Sequence, residues 1–240
     1  MPSADPGGLI LAGGEGSRLV AEGLRVPKPM VEVAGRAQLV HLAETLLDLG
    51  CPTVTCMVRD AFPGLVADLA RRDWPGAVRV HGCRTPSSLH TLVEGLARVP
   101  DGAVFATMVD TVMRPEDWRA VFAGAASQLA AGADAVLAVT PFVDDEAAVY
   151  VAADAAGRVR RLGDRPTEPV LVTGGVYAFA PGVRALAREA VDAGVQRMRN
   201  FLARIVDRGV VVRTVEAPRI IDLDRLSDLA AANAWLGRDG

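Results

Sequence analysis

The residues whose types and spacing are best suited to chemistry lie at positions 9–30, in the run LILAGGEGSRLVAEGLRVPKPM. An apolar stretch leads directly into Gly13, Gly14 and Gly16. Residues without a Cβ atom let backbone N–H groups turn toward an anion. This arrangement predicts a loop that holds a triphosphate.

Two cations in the same run strengthen this prediction. Arg18 can place a planar guanidinium fork on phosphate oxygens, and Lys28, between two prolines, offers a compact charge on a stiff backbone. The spacing excludes two other nucleotide motifs, since a dinucleotide fingerprint needs a glycine where Leu19 stands and a P-loop needs Gly-Lys-Ser/Thr, which does not occur. A glycine-rich turn alone is as often an ordinary loop, so the cations carry the argument.

A carboxylate, Asp110, follows the apolar strand predicted to end at Met108. Open α/β sheets bind ligands at the carboxyl ends of their strands. Mg²⁺ keeps several waters and takes one or two protein carboxylates together with substrate phosphates. Asp110 is therefore a candidate magnesium ligand.

The run at positions 9–30 resembles the opening motif of the sugar-1-phosphate nucleotidyltransferases. Their pattern is Gly-Gly-x-Gly-x-Arg-Leu followed by Pro-Lys-Pro, and it is matched by Gly13, Gly14, Gly16, Arg18, Leu19 and Lys28. The resemblance covers nearly the whole chain and implies an Mg²⁺-dependent enzyme that joins a nucleoside triphosphate to a sugar-1-phosphate and releases pyrophosphate. It also implies that Arg18 and Lys28 stabilise the leaving pyrophosphate and the α-phosphate. The strand end, Leu11 and Ala12, would contact the base.

The segment TPSSL, residues 85–89, stands where this family places a loop and a helix start against the nucleoside, although the family's usual glycine is absent. The resemblance implies that Thr85, Ser87 and Ser88 contact the nucleoside. The two serines are equally suited to cap the helix that follows, because serine oxygens accept hydrogen bonds from the first backbone N–H groups.

The family pattern of an apolar pair, Asp and a leucine-rich helix is matched by IIDLDRLSDL, which contains Asp222. The resemblance implies that Asp110 and Asp222 together bind the metal. Asp224 forms an Asp-x-Asp pair with Asp222, which in isolation is a glycosyltransferase metal motif or a helix cap. We interpret Asp224 as a cap of the closing helix.

The sugar side of the site is expected around TGGVY, which resembles the family's Asn-Ala-Gly-Ile-Tyr stretch. There Gly174 and Gly175 would let the backbone approach a sugar hydroxyl, and a strand with a glycine bulge is the alternative interpretation.

The sequence departs from the family at Asp164, which begins Asp-Arg-Pro where the family carries Glu-Lys-Pro. Arginine keeps the charge of lysine but not its geometry, so the contact to the sugar phosphate is expected from Arg197 or Arg199. Those two arginines could equally be solvated helix residues. Asp164 stays a candidate substrate ligand.

The chain that positions these residues alternates short apolar runs with amphipathic stretches, the pattern of a mostly parallel sheet covered by helices. Strands are predicted at 8–12, 53–58, 77–81, 103–108, 135–140, 149–152, 159–162, 170–180 and 210–215. Helices are predicted at 37–49, 62–72, 87–98, 115–131, 181–193, 197–208 and 226–236. We expect an α/β fold with a Rossmann-like sheet and helices on both faces, of the nucleotide-diphospho-sugar transferase type. A single domain, 1–240, would comprise a nucleotide-binding part, 1–140, and a sugar-phosphate-binding part with the closing helix, 141–240.

The composition limits the classes of partner that the protein is expected to bind. Half of the 240 residues are hydrophobic and the net charge is −3 with scattered basic residues, so the basic patch of a nucleic-acid-binding protein is missing. No apolar run approaches bilayer length, and the amino terminus lacks a signal-peptide pattern. Cys51, Cys56 and Cys83 match no zinc spacing and are predicted to be free buried thiols. We expect a cytoplasmic protein without nucleic-acid or membrane partners, with a homodimer as the candidate assembly.

Other functions remain compatible with the sequence. A cytidylyltransferase that acts on a non-sugar phosphorylated acceptor would use the same fold. A metal-dependent glycosyltransferase is favoured by Asp222 and Asp224, but the loop between Gly13 and Lys28 suits a triphosphate better than a diphosphate sugar. A non-catalytic nucleotide-binding subunit is the third alternative.

Overall fold

A computed structural model describes residues 5–143, 148–166 and 168–237 of the chain. The strands are β1 Gly7–Ala12, β2 Glu32–Val33, β3 Arg36–Ala37, β4 Val54–Arg59, β5 Val78–Cys83, β6 Val104–Met108, β7 Thr111–Val112, β8 Ala135–Thr140, β9 Tyr150–Ala153, β10 Val159–Gly163, β11 Val172–Phe179, β12 Val212–Glu216 and β13 Ile221–Asp222. The α-helices are α1 Ser17–Ala21, α2 Gln38–Asp48, α3 Leu65–Arg71, α4 Ser88–Leu96, α5 Pro115–Ala130, α6 Val183–Asp192, α7 Met198–Asp207 and α8 Leu226–Leu236. A short 3₁₀ helix spans Lys28–Met30.

Within the described residues, nine strands form one sheet with a parallel half and a mixed half. The parallel half has the order β6-β1-β4-β5. β11 runs antiparallel between β6 and β8, and β12 joins β8 in parallel. The hairpin of β9 and β10 pairs with the start of β11. Both parts of the chain thus contribute strands to the same sheet, and β1, β4 and β6 present their carboxyl ends at one edge.

The sheet carries a hydrophobic core on each face, as the alternation of side chains along β1 illustrates. Leu9 and Leu11 belong to the core with α4, α6 and α7, whereas Ile10 and Ala12 belong to the core with α2, α3 and α5. Burying an aliphatic side chain fully contributes about 1.5–3 kcal/mol, so β1 is anchored from both sides. The expectation of an α/β sheet with helices on both faces is confirmed.

Each predicted helix and strand has a counterpart within a few residues of its predicted ends. The helix predicted at 62–72 begins only at Leu65, because Gly64 has a φ of 83°, outside the helical region. The sequence did not predict α1, the 3₁₀ helix or the hairpin of β2 and β3, which are too short to show a period. Among the described residues, the helices lack the length and apolar character needed to cross a membrane.

The closing segment of the chain returns to the carboxyl edge of β6. β13 runs antiparallel to β7, so Asp222 lies opposite Thr111. The N–H of Leu223 donates to the carbonyl of Asp110 at 3.0 Å. Ile221 and Leu223 are buried in a third apolar cluster, against α8. This pairing brings the backbones at positions 110 and 222 side by side.

Candidate active site

The glycine-rich loop joins β1 to α1 and is held at both ends. Gly16 has a φ of 62°, a conformation that favours glycine, and a Cβ atom there would lie 3.2 Å from the Lys28 side chain. A Cβ atom on Gly13 would lie 2.7 Å from Thr91 Oγ1. Gly14, between them, is exposed. The loop is therefore tightly packed at its ends and open in the middle, as a phosphate site requires.

Lys28 lies at the centre of an ion cluster, which consists of Lys28, Arg18, Asp110 and Asp224. The Lys28 ammonium donates to Asp110 Oδ2 at 2.6 Å and to Asp224 Oδ1 at 2.9 Å. The other oxygen of Asp224 accepts a hydrogen bond from Arg18 at 2.9 Å. Of the two cations predicted to bind phosphate, Lys28 thus contacts the predicted metal ligand Asp110 directly, whereas Arg18 joins the cluster through Asp224.

Burial and neighbouring charges shift the pKa values of this cluster in opposite directions. Burial alone would lower the pKa of Lys28, but the charges and hydrogen bonds of Asp110 and Asp224 outweigh it and raise that pKa above its ordinary value. Burial would likewise raise the pKa of Asp224, yet Lys28 and Arg18 hold it below its ordinary value. Lys28 and Asp224 are therefore both charged at neutral pH.

The interpretation of Asp224 as the cap of α8 is wrong. Asp228 accepts hydrogen bonds from the N–H groups of Arg225 at 2.7 Å and Asp224 at 3.0 Å, and Glu22 accepts from the N–H of Leu226 at 2.7 Å. These carboxylates close the start of α8, while that of Asp224 binds the two cations. Spacing within IIDLDRLSDL could not reveal this, because the cations come from the other end of the chain.

A first cavity, of about 490 Å³, opens beside the glycine-rich loop. This volume lies within the usual range of small-molecule sites. The lining includes predicted nucleotide-binding residues: Leu11, Gly13, Gly14, Thr85, Ser87 and Ser88. The hydroxyls of Thr85 and Thr91 are 2.6 Å apart and tie the segment before α4 to the helix. Ala12 is buried beneath the loop at the end of β1.

Two charged residues at the first cavity were not predicted. Arg59, the last residue of β4, donates to Glu15 Oε1 at 2.5 Å and to the carbonyl of Gly13 at 3.4 Å. The pair joins the glycine-rich loop to the neighbouring strand. The signal that could have found Arg59 is its place at the carboxyl end of a parallel strand, where ligands bind.

The hydroxyls of Ser87 and Ser88 contact the loop before α7. Ser87 Oγ donates to the carbonyl of Gln196 and lies 2.8 Å from His90 Nδ1. Ser88 Oγ accepts a hydrogen bond from the N–H of Met198 at 3.1 Å. Over the residues that the structure describes, the Ser87 side chain makes no capping bond to α4. Both hydroxyls thus bond to the segment before and at the start of α7, and the capping interpretation is wrong for Ser87.

A second cavity, of about 430 Å³, lies on the other side of the first turn of α4. It shares Pro86, Ser87, Ser88 and Met108 with the first cavity. Its lining further includes Asp110, Thr173, Gly175, Tyr177, Arg197, Arg199, Asp222 and Asp224. The two cavities form one groove, in which the first is lined by the glycine-rich loop and the second by the predicted metal and acceptor residues, with Lys28 bound to Asp110 and Asp224 at its wall.

A bulge in β11 shapes the wall of the second cavity. The register with β8 shifts between Thr173 and Tyr177. Gly175 has a φ of 74°, and a Cβ atom there would lie 2.6 Å from Thr111 Oγ1. A Cβ atom on Gly174 would lie 2.4 Å from Ile220. Both glycines are required by close packing against neighbouring side chains at this bulge, whatever they do for a ligand.

The carboxylates of Asp110 and Asp222 both face the second cavity. Burial raises the pKa of the Tyr177 hydroxyl, and the charges of Asp222 and Asp110 raise it further, so both carboxylates are near this ring. Across residues 5–143, 148–166 and 168–237, no cluster of three or more His, Cys, Asp or Glu side chains could hold a metal. A pair of carboxylates is nonetheless the donor set that Mg²⁺ takes when substrate phosphates supply further oxygens.

Asp164 is a predicted site residue that the fold leaves outside the groove. β10 pairs with β9 at the edge of the sheet, and its last residue, Gly163, lies opposite Tyr150. Asp164 and Arg165 follow at an exposed bend. Neither is among the described residues that line the two cavities.

Solved structures share this α/β fold. The chain is similar to a putative glucose-1-phosphate thymidylyltransferase from Bacillus anthracis, with a TM-score of 0.80, 18% identity and coverage of 98% of this chain and 96% of that one. It is also similar to the inositol-1-phosphate CTP transferase from T. maritima, with a TM-score of 0.78, 18% identity and coverage of 95% and 93%. At these identities the likeness shows the fold.

The chain belongs to the family of MobA-like NTP transferase domains, whose model matches residues 8–208. By class it is therefore a nucleotidyltransferase. A stretch of 51 residues is 43% identical to the mannose-1-phosphate guanyltransferase of Pichia angusta. A stretch of 50 residues is 48% identical to the mannose-1-phosphate guanylyltransferase catalytic subunit beta of Drosophila melanogaster. Each match covers 21% of this chain and only 14% of the relative's length.

Proposed function

We propose that the protein couples a nucleoside triphosphate to a sugar-1-phosphate, giving a nucleoside-diphosphate sugar and pyrophosphate. The observation that carries this proposal is a single groove in which a glycine-rich loop and the ion cluster lie beside two connected cavities. The first cavity would take the nucleoside and the second the acceptor. Relatives named for glucose-1-phosphate and mannose-1-phosphate support a sugar phosphate as the acceptor.

In the proposed reaction, an oxygen of the acceptor phosphate attacks the α-phosphorus in line. A new P–O bond forms, the bond from the α-phosphorus to the oxygen that bridges to the β-phosphate breaks, and pyrophosphate leaves with that electron pair. Arg18 and Lys28 stabilise the charge on the α-phosphate and the leaving group. The acceptor phosphate is already ionised, so the reaction needs no strong general base.

The ion cluster also preorganises the two cations for phosphate binding. The triphosphate replaces the carboxylate of Asp224 as a partner of Arg18 and Lys28, since a polyanion offers both cations more charge. The Lys28 side chain is only 10% exposed and is held by two carboxylates, so few conformations are open to it. Positioning of this kind accounts for much of the rate acceleration in phosphoryl and nucleotidyl transfer.

Asp110 and Asp222 are the residues that would hold Mg²⁺. The ion would supply positive charge that neutralises the phosphates of both substrates. Their shared cavity and neighbouring backbones support this assignment, as does the preference of Mg²⁺ for one or two carboxylates plus phosphate oxygens.

Arg197 and Arg199 are our candidates for binding the acceptor phosphate. Both line the second cavity, and the charge of Arg199 lowers the pKa of Tyr177 in opposition to the carboxylates. They would take over the contact that the related family assigns to the lysine of Glu-Lys-Pro. Gly175 would let the backbone approach the sugar, whereas the exposed bend at Asp164 argues against a substrate contact there.

A cytidylyltransferase that acts on a non-sugar phosphorylated acceptor is the second candidate. The departure at Asp164 and Arg165 favours it, because the usual sugar-side motif is changed. The inositol-1-phosphate CTP transferase with the same fold is consistent with such an acceptor. The glycosyltransferase alternative loses its main support, since Asp224 binds Arg18 and Lys28.

We also propose a cytoplasmic location, which the cysteines support. Cys51, Cys56 and Cys83 are buried and free. Burial raises the pKa of Cys56 to about 12, so its thiol stays protonated and inert. Free thiols of this kind are usual in a reducing compartment.

The proposed function is tested by screening the purified protein with the common nucleoside triphosphates, Mg²⁺ and a panel of phosphorylated acceptors. We expect pyrophosphate release that requires one triphosphate and one sugar-1-phosphate together. Release with an alditol phosphate or another non-sugar acceptor, but with no sugar-1-phosphate, would favour the second candidate. Matched reactions of the Lys28→Ala variant control for contaminating activity.

A further inference from the structure

The first turn of α4 is fastened to the start of α7, although the two segments are far apart in the chain. Ser88 Oγ accepts a hydrogen bond from the N–H of Met198, 110 positions away, at 3.1 Å. Ser87 Oγ donates to the carbonyl of Gln196, 109 positions away. We refer to these two contacts as the serine clasp. It holds the chain on either side of Arg197.

The number of protons available in the clasp determines which group donates and which accepts in each hydrogen bond. A serine hydroxyl has one proton to donate, and Ser87 uses it on the carbonyl of Gln196. The contact of Ser87 Oγ with His90 Nδ1, at 2.8 Å, is then a bond in which His90 donates. Ser88 acts as an acceptor toward Met198 and keeps its own proton for another partner. Both serines are thus ordered by specific bonds.

The clasp supplies a cap to α7, whose own N-cap residue, Arg197, makes no side-chain capping bond among the described residues. Met198 is the first residue of α7, and the first N–H groups of a helix have no partner within it. Ser88 satisfies this N–H from another helix. The side chain of Met198 is 5% exposed, within the same core as α4. The entry of α7 is therefore held by both its backbone and its first side chain.

Two arginines flank this anchored residue. Arg197 precedes Met198, Arg199 follows it, and both arginines line the second cavity together with Ser87 and Ser88. The same two serines also line the first cavity. The clasp therefore connects the wall between the cavities to the cations on the far side of the second.

We propose that Ser88, assisted by Ser87, is a positioning residue that sets the place of Arg197 and Arg199 for the acceptor phosphate. This inference rests on the proposed function, in which those arginines bind that phosphate. Ser88 acts through the backbone of Met198. Its loss shifts the start of α7 and thereby weakens acceptor binding more than triphosphate binding.

The test compares Ser88→Ala with Ser88→Thr, which keeps a hydroxyl acceptor. Losing a helix cap costs about 1 kcal/mol, which corresponds to about a fivefold change in an equilibrium. We expect Ser88→Ala to raise the KM for the acceptor about fivefold, with a smaller change in the KM for the triphosphate and in kcat. Ser88→Thr should recover most of the acceptor affinity. Equal increases in both KM values would overturn the inference.

A double-mutant cycle separates positioning from a general structural effect. If Ser88 acts through the arginines, Ser88→Ala should add little to the acceptor KM of a protein that already carries Arg197→Ala and Arg199→Ala. A further fivefold increase in that background would overturn the inference.

Calorimetric binding of inorganic phosphate tests the same step without turnover. We expect Ser88→Ala to weaken phosphate binding by the same factor, and unchanged phosphate affinity would overturn the inference. A wild-type protein that binds phosphate in this Ser88-dependent way but transfers no nucleotide would refute the proposed function alone.

Discussion

Replacing Lys28 by alanine separates the structural from the catalytic role of the ion cluster. The Lys28 side chain is 10% exposed and contacts Asp110 at 2.6 Å and Asp224 at 2.9 Å. Removing one partner of a buried pair costs about 3–5 kcal/mol. Because the two carboxylates are 17% and 37% exposed, water compensates part of that cost, and we expect a loss of about 2 kcal/mol.

Arg18→Ala is the matched control, because Arg18 also contacts Asp224 at 2.9 Å but its side chain is 46% exposed. Exposed pairs contribute about 0–1 kcal/mol. For a chain of this size, 1 kcal/mol shifts Tm by about 2–4 °C. Thermal unfolding should therefore show a Tm lowered by about 4–8 °C in Lys28→Ala and by about 4 °C or less in Arg18→Ala.

Both variants should lose turnover to a similar extent, since both cations stabilise the same developing charge. Losing one such group typically costs about 10²-fold to 10³-fold in rate, measured here as pyrophosphate release. Adding Asp110→Asn to Lys28→Ala should restore part of the Tm but none of the rate, because it removes the charge of the more buried carboxylate that lost its ammonium partner, without replacing the cation. A Lys28→Ala protein with wild-type turnover would refute the assignment, and an unchanged Tm would refute the electrostatic reasoning.

Three further predictions concern the carboxylates and the bulge. Asp110→Asn and Asp222→Asn should each remove most Mg²⁺-dependent pyrophosphate release, as should reversible chelation by EDTA; wild-type rates and Mg²⁺ dependence in Asp222→Asn would exclude it as a metal ligand. Gly175→Ala should destabilise the fold by about 2 kcal/mol or more in thermal unfolding, because a left-handed conformation costs about 1–2 kcal/mol and the new Cβ would crowd Thr111; an unchanged Tm would mean that the bulge relaxes. The pKa of Asp224 is lowered in the fold, so its contribution to stability is present above the unfolded value of about 3.9 and is lost as the pH falls through the folded value. Urea midpoints should therefore fall more steeply below about pH 4 in the wild type than in Asp224→Asn, and equal slopes would contradict this.

The layered fold could be predicted from the sequence because its long elements carry a clear period. The apolar runs of β1, β4, β6 and β8 and the amphipathic α2 are recognisable without their neighbours. Gly50, two residues beyond the end of α2, has a φ of 100°, a conformation that favours glycine after a helix. Short elements such as α1 and β13 escaped prediction because two to five residues show no period. Their places depend on the pairings that they make in the fold.

The candidate site could be predicted where several functional residues lie close together in one short stretch of sequence. Gly13, Arg18 and Lys28 belong to such a stretch; Gly13 lines the first cavity, while Lys28 and Arg18 contact Asp110 and Asp224, which line the second. The Arg59–Glu15 contact and the pairing of Asp224 with the cations depend on residues from distant segments, so spacing could not reveal them.

The serines illustrate a different limit of prediction. Ser87 and Ser88 stand where serines commonly cap a helix, and sequence alone cannot show that a second helix start offers competing partners. In the fold, Gln196 and Met198 provide those partners. The orientation of the two hydroxyls is therefore set by residues that are distant in the sequence but close in the fold.

The measurement that tests the central claim most directly follows the α-phosphate of the triphosphate. The protein is incubated with Mg²⁺, a sugar-1-phosphate and a triphosphate labelled at the α-phosphorus. We predict that the label appears in a nucleoside-diphosphate sugar, with one pyrophosphate released for each labelled product. Label recovered in nucleoside monophosphate or diphosphate, or product formed without equimolar pyrophosphate, would contradict nucleotidyl transfer in this groove.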